Sequence, residues 1–173
     1  MITGAVGFSA DDSIVSRAIR WITRSEWSHV FLVAGEFHGT TLVLEATASG
    51  VGLHRFDDYL SKKYRIEIWM LAPENPDSKA VERGIHAAMR VLGQPYPWMQ
   101  LAGMGLVIAA RRLLGLKIRN PFRRWDVCSE ILLRHLRESD PQGPWSWMDK
   151  DTTSPEMISA DFRRDAKNWM KIL

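Results

Sequence analysis

The chain has a single cysteine, Cys128, among 173 residues, which excludes an internal disulfide framework and any multi-cysteine zinc or iron–sulfur site. It lacks an apolar run of bilayer length. The longest stretch, residues 98–110, is interrupted by Arg111 and Arg112, well short of the ~20 residues a spanning helix needs. Its first residues, Met1-Ile2-Thr3-Gly4-Ala5-Val6-Gly7-Phe8, lack the basic start and long apolar core of a secretory signal, so a reducing cytoplasm is the expected location. Glycine (12) and proline (8) are too few for a collagen-like or proline-rich chain, and no repeat, low-complexity tract or linker stands out. Acidic residues are absent between Glu82 and Asp126. That stretch carries Arg83, Arg90, Arg111, Arg112, Lys117, Arg119, Arg123 and Arg124 within a chain of net charge +3.

What is present suits one globular domain. Hydrophobic residues make up 46% and charged residues 25%, and the length supports one core but not two ordinary domains. Eight tryptophans favour large aromatic surfaces in a core or a groove. The one-signed basic stretch points to an anionic partner: phospholipid, nucleic acid or an acidic substrate. A charge run alone is more simply a solvated basic face, and no nucleic-acid motif accompanies it, so nucleic acid is disfavoured.

Residues 2–8 read as a strand, and residues 13–24 as an amphipathic helix with Ile14, Ala18, Ile19 and Ile22 at helical spacing. The runs 28–34 and 41–46, separated by His38-Gly39, predict a hairpin, and 51–56 and 64–71 are two further strands. After Pro73 and Pro76 a helix is expected from Asp77 or Ser78 to about Leu92, stopped by Gly93. Asp126 is placed to open another helix through Ile131, Leu132, His135 and Leu136. Residues 139–153 read as a loop, and Thr153-Ser154-Pro155-Glu156 as a helix start in which Glu156 completes a capping box.

Cys128 lies at the start of the helix that Asp126 opens, where free backbone amides and the helix dipole favour a thiolate. An isolated cysteine is more often a small buried hydrophobe, so the balance turns on whether a base and an orienting group exist. Of five histidines, His38 falls in a turn, His54 in a strand among charged neighbours, and His86 and His135 on helix faces. His29 differs, because Trp27-Ser28-His29-Val30-Phe31-Leu32-Val33 begins an apolar strand that would hold an imidazole rigidly. The next strand, Thr41-Leu42-Val43-Leu44-Glu45-Ala46, carries a carboxylate that is expensive to bury unless paired. Paired with His29, Glu45 would fix the ring's tautomer and raise its basicity, as the third member of a catalytic triad does. His29, His38, His54 and Cys128 show no zinc-ligand spacing such as His-x-x-x-His or Cys-x-x-Cys.

These residues carry a resemblance. Trp27-Ser28-His29-Val30, Val43-Leu44-Glu45-Ala46 with Gly50-Val51, Gly93-Gln94-Pro95-Tyr96 and Val127-Cys128-Ser129-Glu130 together resemble the circularly permuted branch of the NlpC-type, papain-like cysteine hydrolases. In that branch the histidine strand precedes the cysteine helix, as it does here over residues 2–135. The resemblance implies one α+β papain-like domain over residues 1–173, with a small antiparallel sheet packed on the cysteine helix. It implies Cys128 as nucleophile, His29 as base, Glu45 as orienting residue and Tyr96 as a substrate-site residue, with Ser129 a further substrate contact. Residues 98–124 depart from the pattern as an apolar and then basic insertion.

The expectation is therefore a cysteine peptidase or amidase, cofactor-free, that cleaves an amide bond through an acyl-enzyme. Two alternatives stand beside it. One is a lipid acyltransferase or thioesterase with the same triad, its insertion lying on an anionic membrane. The other is a non-catalytic module that binds a peptide or amino acid.

Overall fold

A computed structural model describes residues 3–61, 64–72, 78–95, 110, 114–116, 128–148 and 153–173. The described elements run β1 (Val6–Ala10), α1 (Ile14–Thr23), β2 (His29–Phe37), β3 (Thr40–Thr47), β4 (Gly50–Arg55), α2 (Asp57–Ser61), β5 (Arg65–Leu71), α3 (Ser78–Met89), α4 (Cys128–Ser139), a 3-10 turn (Pro144–Ser146), α5 (Pro155–Arg164) and β6 (Trp169–Lys171). The fold is α+β. All six strands join one antiparallel sheet in the order β4-β3-β2-β1-β5-β6.

The predicted hairpin is β2–β3, closed by His38-Gly39 with Phe37 opposite Thr40. A two-residue hairpin turn that matches strand twist needs positive φ at both central residues, and these have φ of 47° and 74°. Alternation along the strands separates two cores. Val6, Phe8, Val30, Leu32, Leu44 and Ala46 pack with Ile85 and Ala88 of α3, Ile131, Leu132 and Leu136 of α4, and Ile158 and Phe162 of α5. On the other face Phe31, Val33, Val43 and Ile68 meet Phe56 and Tyr59, the latter from α2.

Two short elements were not visible as patterns in the sequence, α2 and β6. β6 adds to the sheet edge by pairing with β5, and Phe162 stacks on Trp169 at 4.0 Å between ring centroids. Trp145 lies edge-on to both rings, so tryptophan serves the core here. Below this edge the buried Glu67 carboxylate accepts from Lys171 Nζ at 2.9 Å and from the Trp69 indole at 2.6 Å. At the start of α5 the capping-box expectation is corrected. Ser154 is the N-cap, so the third helical residue is Met157, and Glu156 instead accepts the Glu26 N–H at 2.9 Å. Residues 98–124, the expected insertion, lie outside the described residues except for Ala110 and 114–116, as do Asp77 and Asp126.

The position of α4, and hence of Cys128, is set by close approach to α3. A Cβ on Gly84 would fall 2.6 Å from both the Nδ1 and the carbonyl oxygen of His135, so only glycine allows this helix spacing. His135 is fully buried, and among the described residues neither ring nitrogen meets a hydrogen-bond partner of good geometry. Burial outweighs the nearby backbone of Gly4 and Gly84 and pushes its pKa down to about 4. The unfolded chain takes up this proton near pH 6.5, the folded one only near pH 4. Stability from the neutral ring is therefore complete above the unfolded pKa and is lost as pH falls through the folded one. Urea unfolding at stepped pH should show this acid-side loss, and His135→Leu should flatten it. An equal slope in the variant would place the acid sensitivity elsewhere.

Candidate active site

The lead-in to β2 is held by polar contacts to its neighbours. Ser28 N–H donates to the Ser9 carbonyl at 3.1 Å, and its hydroxyl meets the Ser16 hydroxyl of α1 at 2.7 Å. His29 follows as the first residue of β2. Ser9, directly across on β1, is its ladder partner. Glu45 sits on β3 opposite Gly52, with its carboxylate only 6% exposed. Cys128 begins α4, which packs against β2 and β3.

The three residues meet. His29 Nε2 lies 2.6 Å from Glu45 Oε2, and the same imidazole is hydrogen-bonded to Cys128. Cys128 is half-buried and within reach of solvent. Burial alone would lower the His29 pKa, but the hydrogen bonds and charges of Cys128 and Glu45 outweigh it and raise it to about 10. Burial likewise would raise the Glu45 carboxyl. The His29 contact overcomes that first, then the Tyr59 hydroxyl and the positive field of His54, and the pKa is held below its ordinary value. His29 is thus charged through the neutral range, between a carboxylate and a sulfur.

Tyr59 was not singled out by sequence reasoning. Its hydroxyl donates to Glu45 Oε2 at 2.5 Å, inside the second core. Burial first, then the Glu45 charge, push the Tyr59 pKa well up, so it stays a donor, and Ser9 in turn hydrogen-bonds to it. A line of contacts therefore runs Cys128–His29–Glu45–Tyr59–Ser9. Asp57-Asp58-Tyr59-Leu60 has no motif that announces this role; the nearest signal is an aromatic just after a strand whose neighbour buries a carboxylate.

The remaining candidates fall apart from this line. Ser129 is buried, so its side chain packs inside the domain while its backbone stays at the helix start. Tyr96 lies outside the described residues. The loop before it is anchored, because Val51 N–H donates to the Gln94 carbonyl at 2.8 Å and Gly93 N–H to the Val51 carbonyl at 2.9 Å. His38 occupies the hairpin turn, and His86 lines an apolar groove between α3 and Ala34 of β2. Among the described residues no group of three His, Cys, Asp or Glu is arranged to hold a metal ion.

No family model and no curated protein matches the chain. Among solved structures it is similar to the crystal structure of metalloprotein yiiX from Escherichia coli O157:H7, DUF1105, with a TM-score of 0.54 and 17% identity. The match covers 99% of this chain and 96% of that one. At that identity the likeness shows the fold alone.

The contact line makes a measurable statement. In Glu45→Gln, histidine NMR titration should find the His29 pKa well below about 10, because the carboxylate charge is gone. Tyr59→Phe should lower it less, since it removes one donor to the carboxylate and no charge. A Tyr59→Phe protein with an unchanged His29 titration would mean that Tyr59 only fills space.

Proposed function

We propose that the protein is a cysteine hydrolase acting on an amide bond, with Cys128 as nucleophile, His29 as proton carrier and Glu45 as its orienting partner. The observation that carries the reading is the single imidazole hydrogen-bonded to both the Glu45 carboxylate and the Cys128 sulfur. Four features in one place (sulfur, imidazole, carboxylate and partial exposure) are among those nucleophilic acyl transfer requires. The order of histidine strand, carboxylate strand and cysteine helix, on an α+β antiparallel sheet, supports a permuted papain-like arrangement of the NlpC type. A reducing compartment would suit the free thiol.

In this reading the Cys128 thiolate attacks the carbonyl carbon, and the carbonyl oxygen takes the negative charge. Backbone amides at the Cys128 end of α4 would supply the donors such an oxyanion needs. His29, already protonated, gives its proton to the leaving amine as the C–N bond breaks, which leaves a thioester on Cys128. Water then attacks the thioester carbon, His29 takes its proton, and the acid departs as the C–S bond breaks. Glu45 holds the ring throughout and stabilises its charged form.

Cys128→Ala should abolish hydrolysis of peptide amides and lower the His29 pKa from about 10, because the Cys128 contact is the first of the two that raise it. Wild-type protein incubated with an activated acyl ester should gain one acyl mass on Cys128, seen by mass spectrometry. A Cys128 that stays unlabelled by such esters and by small alkylating agents across pH would favour the binding module and end the enzyme reading. The alkaline limb of turnover should fall near pH 10, where His29 loses its proton.

A further inference from the structure

α1 is oriented the wrong way round for a helix that only supports a core. Helical geometry sets Ile14, Ala18 and Trp21 on one stripe, at i, i+4 and i+7, with Val15 at its margin and Ser16 and Thr23 on the opposite side. An amphipathic helix of a globular domain normally buries the apolar stripe. Here the small polar side is inward. Ser16 is 6% exposed and bonded to Ser28, while Ile14 is 85%, Val15 55% and Trp21 81% exposed, with Ala18 also open. Exposed aromatic and β-branched side chains in a contiguous stripe mark a contact surface.

Charge decides what the stripe fits. α1 contains no Asp or Glu, and Arg17 and Arg24 are exposed around the stripe. Arg20 is turned inward, donating to the Asp11 backbone carbonyl at 3.0 Å and lying 3.7 Å from the exposed Asp12 carboxylate, while the Asp11 carboxylate accepts from Ser13. A second copy is a poor fit. A two-fold contact would bring the arginines of both copies onto one small surface with no acid of α1 to face them, and one face of a ten-residue helix, about 15 Å by 10 Å, falls far below the ~800 Å² per partner of a stable interface. An anionic lipid surface fits both halves: the bilayer boundary takes a shallow apolar wedge, indole rings settle at headgroup level, and guanidinium groups meet phosphates.

We propose that α1 is a membrane-contact helix, laying Ile14, Val15, Ala18 and Trp21 into the interface of an anionic bilayer with Arg17 and Arg24 at the headgroups. The surface adjoins the site through the Ser16–Ser28 contact, one residue before His29, yet it stands whether or not Cys128 is catalytic.

Co-sedimentation of the full chain with vesicles of phosphatidylcholine and phosphatidylglycerol in equal parts, against phosphatidylcholine alone, tests it. Binding is expected to the anionic vesicles only, and to weaken with salt. Arg17→Gln with Arg24→Gln should weaken it about 30-fold, at roughly 1 kcal/mol per arginine. Ile14→Ser with Trp21→Ser should lose binding even at low salt, with an unchanged thermal melt because both residues are exposed. Cys128→Ala should bind as wild type, which separates this outcome from the fate of the hydrolase reading. Three results would overturn the proposal: no wild-type binding to anionic vesicles, binding untouched by both α1 variants, or a concentration-dependent dimer that Ile14→Ser with Trp21→Ser abolishes.

Discussion

Burying the Glu45 carboxylate inside the sheet is the constraint on which the candidate site depends. An ionised carboxylate in that position is tolerated only when it is paired and its oxygens are hydrogen-bonded. Glu67 faces the same demand and meets it with the Lys171 ammonium and the Arg163 guanidinium. Glu45 meets it with a histidine and a tyrosine. That choice changes the outcome: the partner of Glu45 is itself a proton carrier, and the stabilisation it receives is matched by charge held on an imidazole next to a sulfur. Two buried carboxylates of one sheet thus serve different ends. The one paired with Lys171 ties β6 to β5, and the one paired with His29 holds an imidazole beside Cys128.

Much of this was readable along the chain because it rests on periodicity and on cost. Strands β1 to β5 and helices α1 and α4 each fall within a few residues of an expected apolar pattern, and α3 and α5 begin near the expected start residues. The His29–Glu45 pairing was expected because an acid in an apolar strand needs a partner, and a histidine opened the strand before it. What was not readable depends on tertiary placement. β6 is three residues and α2 five, too short for a period to register. Tyr59 acquires its role only when α2 folds beneath the sheet, and Glu156 leaves the expected cap because Glu26 of a distant loop offers it an amide.

Amphipathicity has the same limit at α1. The spacing of Ile14, Ala18 and Ile19 predicts a helix with two faces and is silent on which face turns inward. In the folded chain the polar face is bound by hydroxyl contacts to the strand lead-in, an arrangement that needs small residues such as Ser16 and Ser28 rather than a large apolar area. The helix is therefore attached at the price of leaving its apolar stripe in water. Tryptophan usage shows the same division: Trp27, Trp69, Trp145 and Trp169 build the core, whereas Trp21 and Trp147 are exposed.

Two histidines show how far the fold, rather than residue type, sets chemistry. Both start from the same intrinsic basicity. His29 is surrounded by a carboxylate and a sulfur, and its pKa rises to about 10. His135 is surrounded by helix backbone and Gly84, with no counter-charge among the described residues, and its pKa falls to about 4. Between those limits one ring is charged and the other neutral. The neutral ring lies in the α3–α4 interface and the charged one at the end of α4 where Cys128 begins. The buried His135 ring packs where α3 meets α4, the helix that carries Cys128. The geometry of the candidate site is thus a property of helix packing as much as of its own hydrogen bonds.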